Sequence, residues 1–316
     1  MLTVFFATRN RSQMLGSVLE TFTRLQVPSC GWKLVVVDNG STDRTREVIA
    51  SFQASLPLTY VFEGAPGKNA ALNAGLGHLE GDLAVFTDDD ASPNPDWLIR
   101  LRAAADAHPE YSIFGGVVKP RWEVAPPPWI QSMNTQVAFA ITDPEMAEGP
   151  TKPWFIFGPN MAIRAEVFKE GTRFNPSIGP RGKSYPMGSE TELALRLDRQ
   201  GHKSWHVRDA VVEHFIGEHQ MSKSWVLGRA IRFGRGSFRM SQTPDVVGVP
   251  CFRGIPVNLF TRLFKKGVRS VMAWLSFDEL ALLYNRWQFN YFLGNIMEAH
   301  AIEREKHTMN GTIAKS

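Results

Sequence analysis

The chain has 316 residues, 43% of them hydrophobic and 21% charged, with a formal net charge of +4. This suits a soluble or peripheral enzyme with one sizeable core and a helical appendage, and there is no internal repeat or long low-complexity tract. The absence of any run of 18 apolar residues argues against a spanning helix, and Cys30 and Cys251 lack metal-site spacing and point to a reducing compartment.

From Met1, which leads into a strand without a basic leader, apolar β-rich runs alternate with helical patterns. Strand Leu2–Thr8 precedes a helix near Ser12–Leu25, and strand Lys33–Asp38 precedes a helix near Arg44–Phe52. Leu58–Phe62 is then followed by Asn69–His78, and Leu83–Thr87 by Pro95–Ala107. The rhythm predicts an α/β fold with a mostly parallel sheet flanked by helices. Ser12 is placed to cap the first helix, with Leu15, Val18, Leu19, Phe22 and Leu25 as its buried stripe. Ligands of such sheets bind beyond the carboxyl ends of the strands, where Thr8-Arg9-Asn10, Asp38 to Asp43 and the triplet Asp88-Asp89-Asp90 fall.

Three adjacent carboxylates at a strand tip repel one another unless a cation shares them. Magnesium or manganese takes oxygen ligands and keeps positions open for substrate phosphates, so the triplet points to a phosphorylated substrate. A solvated acidic turn is the alternative.

Five ordered blocks sharpen this. They are V-V-V-D-N-G-S-T-D (Val35–Asp43), G-K-N-A-A-L-N-A-G (Gly67–Gly75), F-T-D-D-D-A-S-P-N-P-D-W-L (Phe86–Leu98), G-P-N-M-A-I-R (Gly158–Arg164) and G-S-E-T-E-L-A-L-R-L (Gly188–Leu197). Together they resemble the signature of family 2 glycosyltransferases over roughly residues 1–220. The resemblance implies a GT-A fold, a nucleoside-diphosphate sugar donor, a UDP-sugar first among them, a divalent metal (Mn2+ or Mg2+) and inversion at the anomeric carbon. It assigns Thr8 and Arg9 to the base and diphosphate pocket and Asp38 to the base. Lys68 and Asn73 would reach the diphosphate and ribose, Asp88 the ribose and Asp90 the metal. Asp89, pointing the other way on an extended backbone, has the weakest claim. Asp43 reads as a helix cap.

Ser189 and Glu192 have the spacing of a capping box, and Glu192 also pairs with Arg196 at i, i+4. Glu190 instead shares its helix face with Leu193, Ala194 and Leu197, and a carboxylate on an apolar face needs a reason. The family pattern has two acids here, the second being the general base. Ser189 takes the first place and Glu190 the second, where Asp is common. A helix N-terminus and burial act on this carboxylate in opposite senses, which suits a base working near neutrality. His214 matches a position where relatives supply a histidine to the metal or diphosphate. Trp122, Trp129, Trp154, Phe155 and Phe157 and the acidic loop Asp143–Glu148 are acceptor-side candidates.

The sequence divides into a catalytic domain at 1–220 and a C-terminal region at 221–316. Within the first, 1–115 is the donor-binding half and 116–220 the acceptor half with the base. Residues 1–220 hold 21 Lys plus Arg against 25 Asp plus Glu, while 221–316 hold 14 against 6. Leu259, Phe260, Leu263, Phe264, Val268, Val271, Met272 and Leu275 predict an amphipathic helix, with Arg262, Lys265, Lys266 and Arg269 around the axis. It is expected to hold a cytoplasmic enzyme on the inner face of the plasma membrane, where a glycan precursor or glycolipid is the acceptor, or to form a homodimer contact. Leu280–Met297 is a second helix that lies on membrane, packs on the first or contacts another subunit. Arg229, Arg232, Arg235 and Arg239 are candidates for acceptor phosphates; nucleic acid is not expected, because no recognition motif accompanies the charge. The rival readings are a nucleotidyltransferase, which attacks phosphorus, and a catalytically silent membrane scaffold.

Overall fold

The computed structural model describes residues 1–133, 136–182, 184–241 and 250–313, with side chains to Lys306. It divides into two compact units: Met1–Glu123, Phe139–Pro176 and Ser189–Ile216 form the first, and Val124–Ala138, Ser177–Gly188 and Gly217–Ser316 the second. Segments 124–138 and 177–188, which lie inside the catalytic range expected from sequence, thus cluster with the C-terminal helices.

The first unit opens with β1 (Leu2–Thr8), α1 (Ser12–Phe22), β2 (Trp32–Asp38), α2 (Thr45–Ser51), β3 (Leu58–Phe62) and α3 (Lys68–Gly75). It continues through β4 (Leu83–Phe86), β5 (Ala91–Pro93), α4 (Trp97–Ala107) and β6 (Ile113–Trp122). After the short helices α5 (Pro128–Ser132), which falls in the second unit, and α6 (Gln136–Phe139), which ends where the first unit resumes, come β7 (Gly149–Thr151), β8 (Met161–Arg164), α7 (Ala165–Lys169), α8 (Ser189–Arg199) and β9 (Ser204–Ile216). Among the described residues the strands form one sheet in the order β3-β2-β1-β4-β8-β6-β9-β5, with β7 on β9. β3, β2, β1 and β4 are parallel, and β8 enters antiparallel between β4 and β6. The order reverses at β1, so β1, β2 and β4 open a crevice at their carboxyl ends.

Side-chain alternation explains the continuous apolar strands. Val4, Phe6, Leu34, Val36 and Val85 face one way, onto Leu15, Val18, Leu19 and Phe22 of α1 and onto α4. Phe5, Val35, Val37, Ala84 and Phe86 face the other, onto α3 and onto Leu193, Ala194 and Leu197 of α8. Each fully buried apolar side chain contributes about 1.5–3 kcal/mol. The expected α1 stripe is buried, but Ser12 does not cap it: Ser12 is already helical, and its backbone N–H donates to Asp43 Oδ2 at 3.1 Å.

The second unit holds α9 (Lys223–Ser241), the hairpin β10 (Cys251–Phe252) and β11 (Ile255–Pro256), α10 (Val257–Leu275) and α11 (Glu279–Ile313). α11 packs on α9 and α10, so the packing on the first helix expected for Leu280–Met297 is present. Glycine permits the close approach: a Cβ on Gly234 would collide with the Tyr291 carbonyl, and one on Gly294 with that of Ile231. Two of the α9 arginines are committed to this packing. Arg235 and Arg239 both pair with the fully buried Glu298, and Arg239 also reaches Glu305 at 2.9 Å. Arg229 and Arg232 lie over the Trp225 ring at 5.2 and 6.0 Å. The predicted stripe of α10 is split, because Leu259 is buried while Phe260, Phe264, Val268, Val271, Met272 and Leu275 remain exposed.

Candidate active site

Register brings the polar tips together. Thr8 and Asp38 are paired at the ends of β1 and β2, and Thr87 N–H donates to the Phe5 carbonyl at 3.0 Å, so the aspartate triplet leaves the sheet at the same edge. The chain returns as β5, whose Ala91 is in register with His214 of β9, and Phe215 N–H donates to the Asp90 carbonyl at 2.8 Å. A histidine more than a hundred residues away in sequence thereby reaches the triplet: His214 Nε2 lies 3.4 Å from Asp90 Oδ1.

Arg11 is the residue that the sequence reading missed. Its Nη1 donates to Asp90 Oδ2 at 2.8 Å and lies 3.6 Å from Asp89 Oδ1. Asp89 therefore does not point away from its neighbours: β4 ends at Phe86, the triplet runs through a turn, and the strand alternation assumed for it does not apply. Burial pushes the Asp89 carboxyl up to about 7, aided by Asp90 and Asp88 and opposed by Arg11. Burial also acts to raise Asp90, but hydrogen bonds from His214 and Arg11 win and hold it well below the usual range. His214 is raised, its own burial being outweighed by Asp90.

Lys68 is the second centre. Asn39 fixes the loop before it, donating to the Glu63 and Ala65 carbonyls at 3.0 and 2.7 Å and accepting from Gly67 N–H at 2.8 Å. Lys68 then starts α3 with its ammonium bonded to Asp88 and, at 2.6 Å, to Glu190 Oε1. Burial works against the charge on Lys68, but the two carboxylates more than offset it and raise its pKa. Asp88 is raised by burial, with Glu190 and Asp90 adding to it and Lys68 opposing.

Glu190 stands in the first turn of α8 above buried Leu193, Ala194 and Leu197, with its side chain 15% exposed. Opposite it is Gly158, where a Cβ would lie 2.5 Å from Glu190 Cδ. The Gly158-Pro159-Asn160 turn is held from behind, as Thr87 Oγ1 donates to the Pro159 carbonyl at 2.8 Å and Trp97 Nε1 to Asn160 Oδ1 at 2.9 Å. The capping box is not formed: Ser189 Oγ is buried without a hydrogen-bond partner among the described residues. Glu192 does pair with Arg196, at 3.0 Å.

The remaining predicted residues sit at this edge in different states. Thr8 is buried and Arg9 exposed. Asp38 is buried, accepting from Ser41 N–H at 2.8 Å and the Tyr60 hydroxyl at 3.2 Å. Asn73 is a brace rather than a diphosphate or ribose contact, since its amide exchanges hydrogen bonds of 2.9 and 2.8 Å with the Phe174 backbone. The cap expected at Asp43 is displaced by one residue: Arg44 is the N-cap of α2, and Asp43 before it accepts from Thr45 N–H and Oγ1 at 3.1 and 2.5 Å.

The family model for glycosyl transferase family 2 matches residues 3–172. The chain belongs to this family. It is 24% identical over 234 residues to the succinoglycan biosynthesis protein ExoM of Rhizobium meliloti, covering 73% of this chain and 72% of that one. It is also 24% identical over 151 residues to a glucosyl-dolichyl phosphate glucuronosyltransferase of Haloferax volcanii, covering 48% of each, so the chain spans about half of that relative. The mannosyltransferase PcManGT of Pyrobaculum calidifontis, solved with GDP-Man and Mn2+, superposes with a TM-score of 0.63 at 19% identity, covering 94% of this chain and 86% of that one. The glycosyltransferase fold is thus GT-A, as the sequence implied.

Among the described residues of this glycosyltransferase no three His, Cys, Asp or Glu side chains converge as a complete metal centre. Asp90 and His214 nevertheless fit a divalent cation that shares its coordination with substrate phosphates. His214 Nδ1 lies 2.8 Å from the Phe139 carbonyl, which accepts only, so the proton sits there. In the neutral ring the Nε2 lone pair then faces a carboxylate oxygen, and a shared cation satisfies both, with the backbone carbonyl orienting the imidazole as metal-bound histidines require.

Proposed function

We propose that this glycosyltransferase moves a sugar, with inversion, from a nucleoside-diphosphate donor to a hydroxyl of a lipid-linked sugar or glycan precursor. Glu190 is the general base, and Asp90 and His214 hold the divalent cation. The observation that carries this reading is the single ammonium of Lys68 bonded to both Asp88, on the donor edge, and Glu190. It sets the proposed base beside the proposed ribose contact. The named relatives support it too, one being a glucosyl-dolichyl phosphate glucuronosyltransferase and PcManGT having been solved with GDP-Man and Mn2+.

In this reading Glu190 takes the proton of the acceptor hydroxyl, whose oxygen bonds to the anomeric carbon as the bond to the diphosphate oxygen breaks on the opposite face. Arg11 and Lys68 supply fixed positive charge to the diphosphate. A divalent cation, when bound, neutralises charge on the leaving group. The donor diphosphate competes with Glu190 for Lys68, so donor binding releases the base from its ion pair.

A thermal-shift screen of UDP, GDP and their sugars with manganese tests the reading, because a ligand selective for the folded state raises Tm. A metal-dependent rise that is lost in Asp90→Asn is expected. Slow hydrolysis to free sugar and nucleoside diphosphate is expected as well; cleavage at phosphorus to nucleoside monophosphate and sugar 1-phosphate instead would sink glycosyl transfer.

A further inference from the structure

α10 has two apolar faces, and the chain uses one of them. On the inner face Leu259 and Ala273 are buried, and Gly267 lies beside Phe289 of α11. The outer face carries Phe260, Phe264, Val268, Val271 and Leu275, with Phe264 72% and Leu275 62% exposed. At 3.6 residues per turn these five form one stripe along the helix.

The turn that ends α10 continues the same character. Phe277 N–H donates to the Trp274 carbonyl and Asp278 N–H to that of Ala273, closing the helix through a residue with φ of 57°. Glycine is the natural occupant of that conformation, and a bulky side chain is disfavoured there. The ring of Phe277 is 93% exposed, so the chain holds it in an unfavourable backbone state with no compensating burial of its own. Trp274, 64% exposed, stands one turn before it.

Charge identifies the occupant. Arg262, Lys265, Lys266 and Arg269 lie on the polar side of the same helix, with Lys265 about 100° around from Phe264. Arg262 and Lys266 lie over the rings of Phe292 and Tyr284, and burial together with the Arg269 guanidinium pushes the Lys266 ammonium below its ordinary value. A cleft of about 410 Å³ between α10 and α11 is lined by Val271, Trp274, Leu282 and Phe289, with Arg286 at its wall. A second copy packed on this face brings like charges together; an anionic bilayer supplies both the acyl layer and the counter-charge.

We propose that α10 and the turn to α11 form a docking surface for an anionic lipid bilayer. α10 lies in the interface plane, with the Phe260–Leu275 row and Phe277 in the acyl layer and the cations at phosphate level. No helix among the described residues is long and apolar enough to cross a membrane, so the contact is interfacial. This goes beyond the transfer reaction and stands or falls without it.

Flotation of the full chain with phosphatidylcholine vesicles, with and without phosphatidylglycerol, tests it. The protein is expected to float with the anionic vesicles and to bind them about tenfold less in high salt. Phe277→Asp and Val271→Asp should each weaken binding by about tenfold, and Lys265→Glu with Arg269→Glu should remove the salt dependence. All of these variants should keep the wild-type Tm and donor hydrolysis, since the altered side chains are exposed. Wild type left unbound at low salt overturns the proposal, as does Phe277→Asp floating like wild type. Concentration-dependent doubling of mass that Phe277→Asp abolishes, without flotation, would show that a second copy covers the face.

Discussion

Lys68 Nζ lies 2.6 Å from Glu190 Oε1 and joins the first turn of α3 to the first turn of α8 across 122 residues of sequence. Both partners are largely removed from water, where a charge-assisted bond is stronger and more costly to leave unmade. The same ammonium holds Asp88, so three charged groups from the end of β4, α3 and α8 set each other's positions before substrate arrives.

Glu190→Gln preserves the shape and an oxygen for Lys68 but removes the site that takes the proton. Turnover is expected to fall about 10²–10⁴-fold, the signature of a lost general base, while donor binding is kept or tightened because the neutral amide competes less with the diphosphate for Lys68. Glu192→Gln should leave kcat intact and lower stability by about 0.3–0.5 kcal/mol, the scale of an i, i+4 pair. Steady-state kinetics on both variants decide it; a kinetic defect confined to Glu192→Gln would reverse the assignment.

Gly158→Ala probes how the base is positioned without touching it. The added methyl meets Glu190 at its carboxyl carbon, while the Gly158-Pro159-Asn160 turn, held by Thr87 and Trp97, is poorly placed to retreat. The expected outcome is a loss of kcat of about 10²-fold, the effect of a misplacement near 1 Å, with a near-wild-type Tm. Unchanged turnover would mean that Glu190 moves freely and that its place opposite Gly158 is not needed.

The fold was legible because its strands and helices carry strong local periodicity: Val4 and Phe6 against Phe5, and Leu15 to Phe22 at helical spacing, leave little choice of element. The strand-tip aspartates and the inward face of Glu190 were legible for the same reason. Arg11 was not, because its meaning lies in a contact with Asp90 across 79 residues, and nothing local distinguishes it from Arg9. Asn73 misled because a helix-face amide looks alike whether it meets a ligand or, as here, the Phe174 backbone. The capping box at Ser189 failed because Ser189 is already the first residue of α8 rather than the residue before it, and its buried hydroxyl finds no partner among the described residues.

Glu298 tests the stability of the C-terminal helices. It is fully buried and accepts from Arg235 at 2.7 Å and from Arg239, so its removal leaves two guanidinium groups short of their counter-charge. Glu298→Ala is expected to cost about 3–5 kcal/mol, the usual scale for breaking a buried ion pair from one side. Urea unfolding should show the midpoint falling sharply at constant m. A shift below about 1 kcal/mol, the scale of an exposed pair, would show that the arginines find water instead.

Asp43 gives the acid limb of stability a named contributor. Its carboxylate accepts from Thr45 and from the Ser12 backbone, bridging the starts of α2 and α1, and the hydrogen bond from the Thr45 side chain is the largest influence holding its pKa down at about 2, against an ordinary value of 3.8. A folded pKa below the unfolded one means that the unfolded chain binds the proton first. The contribution is therefore fully present above about pH 4 and is lost as pH falls toward about 2. Asp43→Asn keeps an acceptor oxygen but cannot titrate, so its unfolding free energy should fall less steeply than that of wild type between those pH values. Urea midpoints for the two proteins, measured at steps across that window, should converge as the pH drops. Parallel curves would remove Asp43 from the acid response and leave it an acceptor of ordinary hydrogen-bond strength beside the two helix starts.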